Sequence, residues 1–205
     1  MDPFSAPSLK RSAVARAIAH PTDDVRKVSG AILNMTVRNR FLHPEERPTA
    51  GKKTENWYSP ADAVKAGVVL HLWAAGFSNS PTFQAAIDRL GLWRVTDENP
   101  TWKPGDPDPE GEPNPDRPGS PAAFVLRDFC ETGGNWTLRI DVRRNALTGE
   151  YRHVAALIRE DSAMGNAVTE QEGEVLLSAH LLPLTGLLAQ IASHTIFKGG
   201  AHGTH

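Results

Sequence analysis

The chain has 205 residues, of which 40% are hydrophobic and 22% charged, and its formal net charge is −2. This composition is too apolar for an intrinsically disordered chain, and the single cysteine excludes a disulfide framework and an all-cysteine zinc site. No apolar run approaches the ~20 residues of a membrane-spanning helix and no secretory signal is evident, so we expect a cytoplasmic protein of one or two domains without a membrane partner.

Helical periodicity dominates the first 95 residues, and start and stop signals divide it into short helices. Ser8 can cap a first helix, which Pro21 ends, because serine accepts hydrogen bonds at a helix N-terminus and proline interrupts the backbone pattern. Thr22 can cap a second, short helix from Asp23 to Ser29, whose first turn carries two acidic residues that suit the helix dipole.

Gly30 predicts a turn after the short helix, and a further helix is predicted from Leu33 to Leu42, ended before Pro44. Apolar residues recur in this helix at three- and four-residue steps, which predicts a stripe that faces inward. The stripe consists of Leu33, Val37, Phe41 and Leu42.

The polar stretch 43–57 has the composition of an exposed loop or a small hairpin. Ser59-Pro60-Ala61-Asp62 follows, which approximates a capping box and predicts a helix over residues 60–75. This helix is apolar almost all round, so it is either the centre of a domain or part of a subunit contact. Ser80-Pro81 opens one more helix, with Gly91 at its end.

The order of these elements resembles the winged helix-turn-helix of the MerR family over roughly residues 22–91. The resemblance lies in a helix that ends in Arg38-Asn39-Arg40-Phe41-Leu42-His43-Pro44, a basic wing, and a helix that opens with Trp57-Tyr58-Ser59-Pro60-Ala61-Asp62 and closes on Ala74-Ala75-Gly76-Phe77-Ser78. A proline-rich segment stands where the family carries its long dimerisation helix, so the resemblance covers the DNA-binding part alone.

The resemblance implies a recognition helix in the major groove of double-stranded DNA. Asparagine and arginine side chains recognise adenine and guanine edges, which makes Asn34, Arg38 and Asn39 candidates for base contacts. Basic side chains of the helix end and the wing would neutralise phosphates. These phosphate candidates are Arg40, Arg47, Lys52 and Lys53.

A proline-rich, acidic linker is predicted over residues 96–120, because eight of the 16 prolines lie between Pro100 and Pro121. The charge divides unequally on its two sides. Residues 1–95 carry a net charge of +5, and residues 96–205 carry −7. We therefore expect two parts with different tasks, a basic head over residues 1–95 and an acidic part after it.

Alternation replaces helical periodicity after Pro121. Residues 122–127 and 136–143 alternate as strands, Tyr151 to Arg159 is a third candidate, and Glu174 to Leu182 is either a fourth strand or the start of a helix. A closing helix would bury a face made of Leu184, Leu187, Leu188, Ile191 and Thr195. The expected fold class is α+β: an all-helical winged helix-turn-helix head, the linker, and over residues 121–198 a small antiparallel sheet with a closing helix, before a tail at 199–205.

Residues with catalytic or metal-binding chemistry do not form a recognisable pattern. Cys130 is predicted to be a small buried hydrophobe, and the carboxylates Asp128, Glu131, Glu160 and Asp161 are predicted to be solvated at strand ends. We therefore expect no catalytic residues, no metal site and no cofactor.

These patterns favour a sequence-specific DNA-binding transcriptional regulator. Its acidic part would dimerise the chain or sense a small-molecule effector, because DNA half-sites usually require a symmetric homo-oligomer. The alternative is a non-catalytic protein-interaction or assembly protein, for instance of phage or mobile-element type, whose helical head binds protein. An enzyme built on the C-terminal sheet is the weaker third possibility.

Overall fold

The structure is a computed structural model that describes residues 3–49, 54–78, 80–92, 119–160 and 173–195. Within these ranges the chain is an α+β protein with six helices and two antiparallel three-stranded sheets. The elements in chain order are β1 (Leu9–Lys10), α1 (Arg11–Ile18), α2 (Val25–Val37), β2 (Glu45–Pro48), β3 (Thr54–Tyr58), α3 (Pro60–Ala74), α4 (Ser80–Gly91), α5 (Pro121–Thr132), β4 (Trp136–Asn145), β5 (Tyr151–Arg159), β6 (Glu174–Pro183) and α6 (Thr185–Thr195).

The first helix begins later than predicted, because the residues after Ser8 belong to a sheet. Leu9 and Lys10 pair with Tyr58 and Trp57 of β3, and the Ser8 N–H donates to the Tyr58 carbonyl. Ser8 is therefore tied to β3 rather than capping α1, whose N-cap position is taken by Lys10. Together with β2, these strands form a sheet of order β1-β3-β2, so the prediction of an all-helical head was wrong.

The predicted break at Gly30 is also wrong, since α2 runs without interruption from Val25 to Val37. Its cap is Asp24, whose carboxylate accepts the Arg26 N–H at 2.8 Å. A glycine inside a helix costs only about 1 kcal/mol relative to alanine. The contacts that hold α2 across Gly30 come from three side chains buried at helical spacing, Val28, Ile32 and Met35.

The apolar stripe predicted for this region does not form one buried helix face. Leu33 and Val37 are 39% and 64% exposed, while Phe41 and Leu42 are buried but lie beyond the end of the helix. The chain leaves the helix after Val37 because Arg40 has a φ of 55° and the Phe41 N–H donates to the Met35 carbonyl. This turn brings Phe41 and Leu42 back into the core.

Helix α3 lies at the centre of the hydrophobic core, one of the two roles expected for it. The predicted capping box is present: the Ser59 hydroxyl accepts the Asp62 N–H, and the Asp62 carboxylate accepts the Ser59 N–H. Ten of its fifteen residues are buried, and it packs against α1, α4, α5 and α6. Helix α4 follows as predicted, over Ser80–Gly91.

The predicted strand after Pro121 is wrong, because residues Pro121–Thr132 form α5. Six residues of alternating size also fit a helical period, and the flanking signals decide between the two. The Ser120 hydroxyl accepts the Ala123 N–H at 3.3 Å, Pro121 occupies the first turn, and Gly133 ends the helix with a φ of 72°.

The second sheet confirms the other C-terminal predictions. Its order is β5-β4-β6, so residues 151–159 form a strand and Glu174–Pro183 is a strand rather than the start of a helix. Helix α6 closes the fold, and its predicted face is buried at Leu184, Leu187, Leu188 and Ile191. On β4, Asp141 and Arg143 are buried and form an ion pair, with the Arg143 Nη2 atom 3.2 Å from the Asp141 Oδ2 atom.

The helices before and after residues 93–118 share one hydrophobic core. Helix α1 packs against α6, α3 packs against α5 and α6, and α4 packs against β5. Gln190 of α6 donates a side-chain hydrogen bond to the Ala19 carbonyl at the end of α1. The predicted linker at 96–120 falls almost entirely outside the described residues, and the tail at 199–205 lies wholly outside them.

Candidate nucleic-acid interface

Helices α1 and α2 form a packed pair joined by a short, hydrogen-bonded turn. In the turn, the His20 N–H donates to the Asp23 carboxylate at 2.9 Å and the Asp23 N–H donates to the His20 carbonyl at 2.8 Å. The His20 ring also hydrogen-bonds the Thr22 hydroxyl at 2.7 Å. Asp24 then caps α2, so the direction in which α2 leaves the turn is determined by local contacts.

The exposed face of α2 lies opposite its buried stripe. Successive residues of an α-helix are rotated by about 100° around its axis. Gly30 and the residues one turn before and after it therefore lie opposite Val28, Ile32 and Met35. No acidic residue occurs between Val25 and Val37. This face is therefore basic at its N-terminal half and mixed in polarity further on, with the side chains of Arg26, Lys27, Leu33, Asn34 and Val37 exposed around Gly30.

The β2–β3 hairpin follows α2 directly and is attached to it. The Thr36 hydroxyl of α2 hydrogen-bonds the Tyr58 hydroxyl of β3 at 3.1 Å, and the Tyr58 side chain is fully buried. The hairpin register pairs Glu45 with Trp57 and Pro48 with Thr54. This half-buried hydrogen bond links the hairpin to α2.

Arg47 of β2 has its guanidinium engaged within the chain. Its Nε and Nη2 atoms donate to the Glu45 carboxylate at 2.9 and 3.0 Å, and Nη2 also donates to the Pro7 carbonyl at 2.8 Å. The guanidinium lies 4.8 Å from the centre of the Trp57 ring. Hydrogen bonding from Arg47 lowers the pKa of Glu45. These contacts hold β2, β3 and the segment before β1 together.

A polar cleft of about 480 Å³ separates α2 from the hairpin. Lys10 lies at its edge and forms an ion pair with Glu55 at 3.1 Å. Both signs of charge border this cleft, so its electrostatics differ from those of the basic α2 face. The lining residues are Lys10, Arg11, Ser12, Ser29, Leu33, Glu46, Thr54, Glu55 and Asn56.

The predicted DNA-binding residues do not all come together. Asn34 is exposed on α2, Arg38 is the C-cap of that helix, and Asn39 and Arg40 are exposed just beyond it. Arg47 lies on the hairpin. Lys52 and Lys53 fall outside the described residues.

Sequence reasoning missed Arg26 and Lys27, which the structure places on the same face as Asn34. The cause was the break assumed at Gly30, which assigned the two residues to a separate short helix. The spacing of Val28, Ile32 and Met35, at steps of four and three, is the signal that indicates one continuous helix through Gly30.

Among the carboxylates expected to be solvated, Glu131 is exposed as expected, whereas Asp128 and Glu160 are engaged in structural contacts. Asp128 accepts the Trp136 indole N–H at 2.8 Å and lies 3.2 Å from the Arg159 Nε atom. Glu160 accepts the Thr137 hydroxyl. Asp161 lies outside the described residues. Cys130 is half-buried, and burial raises the pKa of its thiol, which favours the unreactive protonated form.

Within the described parts of the chain, no helix combines the length and apolar character needed to cross a membrane. Comparison of the chain with family models, curated proteins and solved structures finds no match.

Proposed function

We propose that this protein is a sequence-specific DNA-binding regulator in which α1 and α2 act as a helix-turn-helix and the β2–β3 hairpin acts as the wing. The order β1-α1-α2-β2-β3, with the sheet order β1-β3-β2, supports a winged arrangement of these elements. In this proposal α2 replaces the predicted Leu33–Leu42 segment as the recognition helix. The proposal retains the MerR-type resemblance only in the order of the elements, which is a recognition helix, a wing and then a capped helix.

The observation that carries the proposal is the exposed basic face at the N-terminal half of α2. In helix-turn-helix proteins this half of the second helix meets base edges in the major groove. Arg26 and Lys27 carry the positive charge there, and both are exposed. Asp23 and Asp24 precede these residues, but their carboxylates accept the backbone N–H groups of His20 and Arg26, and among the described residues neither carboxylate forms an ion pair with the Arg26 or Lys27 side chain.

Individual side chains can be given roles in this arrangement. Arg26 and Asn34 have the hydrogen-bonding groups that recognise guanine and adenine, and Leu33 and Val37 offer apolar contacts for thymine methyl groups. In this proposal Arg38 and Asn39, predicted above as base contacts, join Arg40 in contacting the DNA backbone, because they lie at and beyond the end of α2. Their phosphate contacts would position the helix without selecting sequence.

The proposal assigns different roles to the two wing lysines and to Arg47. Lys52 and Lys53 lie between β2 and β3 in the sequence and remain predicted phosphate contacts. Arg47 is given a structural role, because contact with a phosphate would have to replace its hydrogen bonds to Glu45 and Pro7. Substitution of Arg47 should therefore affect the hairpin before it affects DNA contacts.

A homo-oligomer fits the same proposal, and we place its contact on β6. This strand is at the edge of its sheet and has no strand on its outer side among the described residues. Unpaired edge strands with apolar side chains readily pair with another chain. Val175, Leu176, Leu177 and Leu181 are exposed along β6, and a second copy would supply the same strand in a symmetric contact.

The test is selection of a binding site from a random duplex pool, followed by titration of that site at about 50 mM and about 200 mM salt. The Arg26→Ala, Lys27→Ala double variant should bind at least about tenfold more weakly and show a shallower salt dependence, by about 0.9 in log–log slope per lost phosphate contact. Asn34→Ala should mainly relax the sequence preference.

Arg144→Ala is the matched control, because Arg144 is an exposed arginine on β4 in the other sheet. It should leave both affinity and salt dependence unchanged. Failure of the pool to yield any preferred sequence, or equal binding by the wild type and the α2 variants, would contradict the proposal. That outcome would favour the alternative, in which the head is a protein-interaction surface.

A further inference from the structure

Gly30 occupies the middle of the exposed face of α2 without a reason in the fold of the chain itself. A Cβ atom at this position would meet no other atom within 4 Å, so packing does not require glycine. Its backbone is helical rather than left-handed, so conformation does not require glycine either. Glycine inside a helix lowers helix stability relative to alanine. The chain therefore carries a destabilising residue at an open position.

The surroundings of Gly30 indicate what the missing side chain leaves room for. Arg26 and Lys27 lie one turn before it on the same face, and Leu33 and Asn34 lie one turn after it. Gly30 lies directly opposite the buried stripe, so its backbone is on the side of α2 that faces away from the core. A surface that accommodates the flanking side chains can therefore approach the backbone of α2 most closely at Gly30.

We infer that Gly30 is the point of closest approach between α2 and the floor of the major groove, an inference that rests on the proposed function. Absence of a side chain lets the helix axis move toward the base edges. The flanking side chains of Arg26 and Asn34 then reach those edges instead of stopping at the phosphates. Gly30 is thus a positioning residue that acts on sequence-specific binding through its neighbours.

The experiment compares Gly30→Ala and Gly30→Gln with Gly186→Ala and Gly186→Gln in the full-length chain. Gly186 is the matched control, since it is an exposed glycine in α6 whose Cβ would also meet nothing within 4 Å. Specific affinity is measured on the duplex selected with the wild type, non-specific affinity on an unrelated duplex, and the melting temperature without DNA.

Gly30→Ala should raise the melting temperature by about 2–4 °C, because alanine favours the helix, and yet weaken specific binding. Gly30→Gln should weaken specific binding by at least about tenfold, while non-specific binding changes little, since the basic side chains still reach phosphates. Both Gly186 variants should bind the selected duplex like the wild type.

The possible failures are distinguishable. If the wild type binds its selected duplex and both Gly30 variants bind it equally well, the inference is overturned and the proposed function stands. If the wild type selects no sequence, both are overturned. If Gly30→Gln loses specific and non-specific binding in equal proportion, the inference is also overturned. A residue that sets how deeply α2 enters the major groove should affect specific binding more than non-specific binding. Gly30→Ala keeps the test valid should the glutamine variant fold poorly.

Discussion

Leu187 of α6 packs directly on the backbone of Gly67 in α3: a Cβ atom at Gly67 would lie 2.5 Å from the Leu187 Cδ1 atom and 2.8 Å from Cδ2. Both residues are buried. Gly67 lies before residues 93–118 and Leu187 after them, so this contact joins the two parts of the chain at the centre of the core. The close approach of α3 and α6 depends on the absence of a side chain.

Gly67→Ala should therefore destabilise the protein, although alanine favours a helix. Overpacking against Leu187 costs about 1–3 kcal/mol, against about 1 kcal/mol gained in helix propensity. In a Leu187→Ala background the clash is absent, so the same substitution should change sign and stabilise by about 1 kcal/mol. Urea denaturation of the four proteins measures the free energies of unfolding, and Gly30→Ala serves as the open-site control.

A stabilising effect of Gly67→Ala in the wild-type background would contradict the tight contact between α3 and α6. Equal effects in both backgrounds would contradict the specific role of Leu187. The double-mutant cycle separates the two outcomes, because it isolates the coupling between the residues from the cavity that Leu187→Ala leaves behind.

The parts of the fold that could be predicted from the sequence are those in which one local signal has no competitor. Ser59-Pro60-Ala61-Asp62 permits a capped helix and little else, and the spacing of Leu184, Leu187, Leu188 and Ile191 fits one helix face. Residues 122–127 fit both a strand and a helix, and only the caps at Ser120 and Gly133 decide between them. The spacing of the apolar residues alone does not distinguish the two structures.

The candidate site was predictable in its residue types and less so in its register. Asn34 was identified correctly as an exposed residue of a helix, whereas Arg38 became its C-cap and Asn39 and Arg40 lie outside it. Gly30 misled the prediction because glycine signals a turn only where buried contacts do not hold the helix on both sides. Such contacts depend on residues distant in sequence, which a local pattern does not contain.

His153 should make the stability of the protein depend on pH. Burial lowers the pKa of its imidazole, and its Nδ1 atom lies 3.0 Å from the Thr82 hydroxyl, a contact between β5 and α4. As pH falls through the unfolded pKa of about 6.5, the unfolded chain takes up a proton before the folded chain does, so the contribution of the neutral ring to stability is lost. Stability should therefore fall with acidification.

Urea midpoints measured between about pH 7.5 and about pH 5.5 test this expectation. His153→Gln keeps a polar group beside Thr82 but does not titrate, so its midpoint should depend less on pH than that of the wild type. His43→Gln, which replaces an exposed histidine, is the control. An identical pH dependence in His153→Gln and the wild type would refute the assignment.

Cys130 should react slowly with thiol reagents in the folded protein. Burial, and to a lesser extent the negative charge of Glu131, raises the pKa of the thiol, so the reactive thiolate is scarce near neutral pH. Glu131→Gln should increase the rate of disulfide exchange with an aromatic disulfide modestly, and unfolding in urea should increase it much more. A folded-state rate equal to the unfolded one would show that burial does not protect the thiol.

Finally, the exposed apolar side chains of β6 should hold two copies of the chain together. Leu177→Glu with Leu181→Glu places two charges on this edge strand, where like charges from both copies would meet, and should convert a dimer into a monomer measured by light scattering. Leu147→Glu is the control, because Leu147 is 91% exposed in the turn between β4 and β5. A monomeric wild type, or a dimer unaffected by the β6 changes, would exclude this contact.

A monomeric variant that keeps its circular dichroism spectrum should still recognise one half-site, but more weakly than the dimer binds two, because the second binding event gains from the effective concentration that the dimer provides.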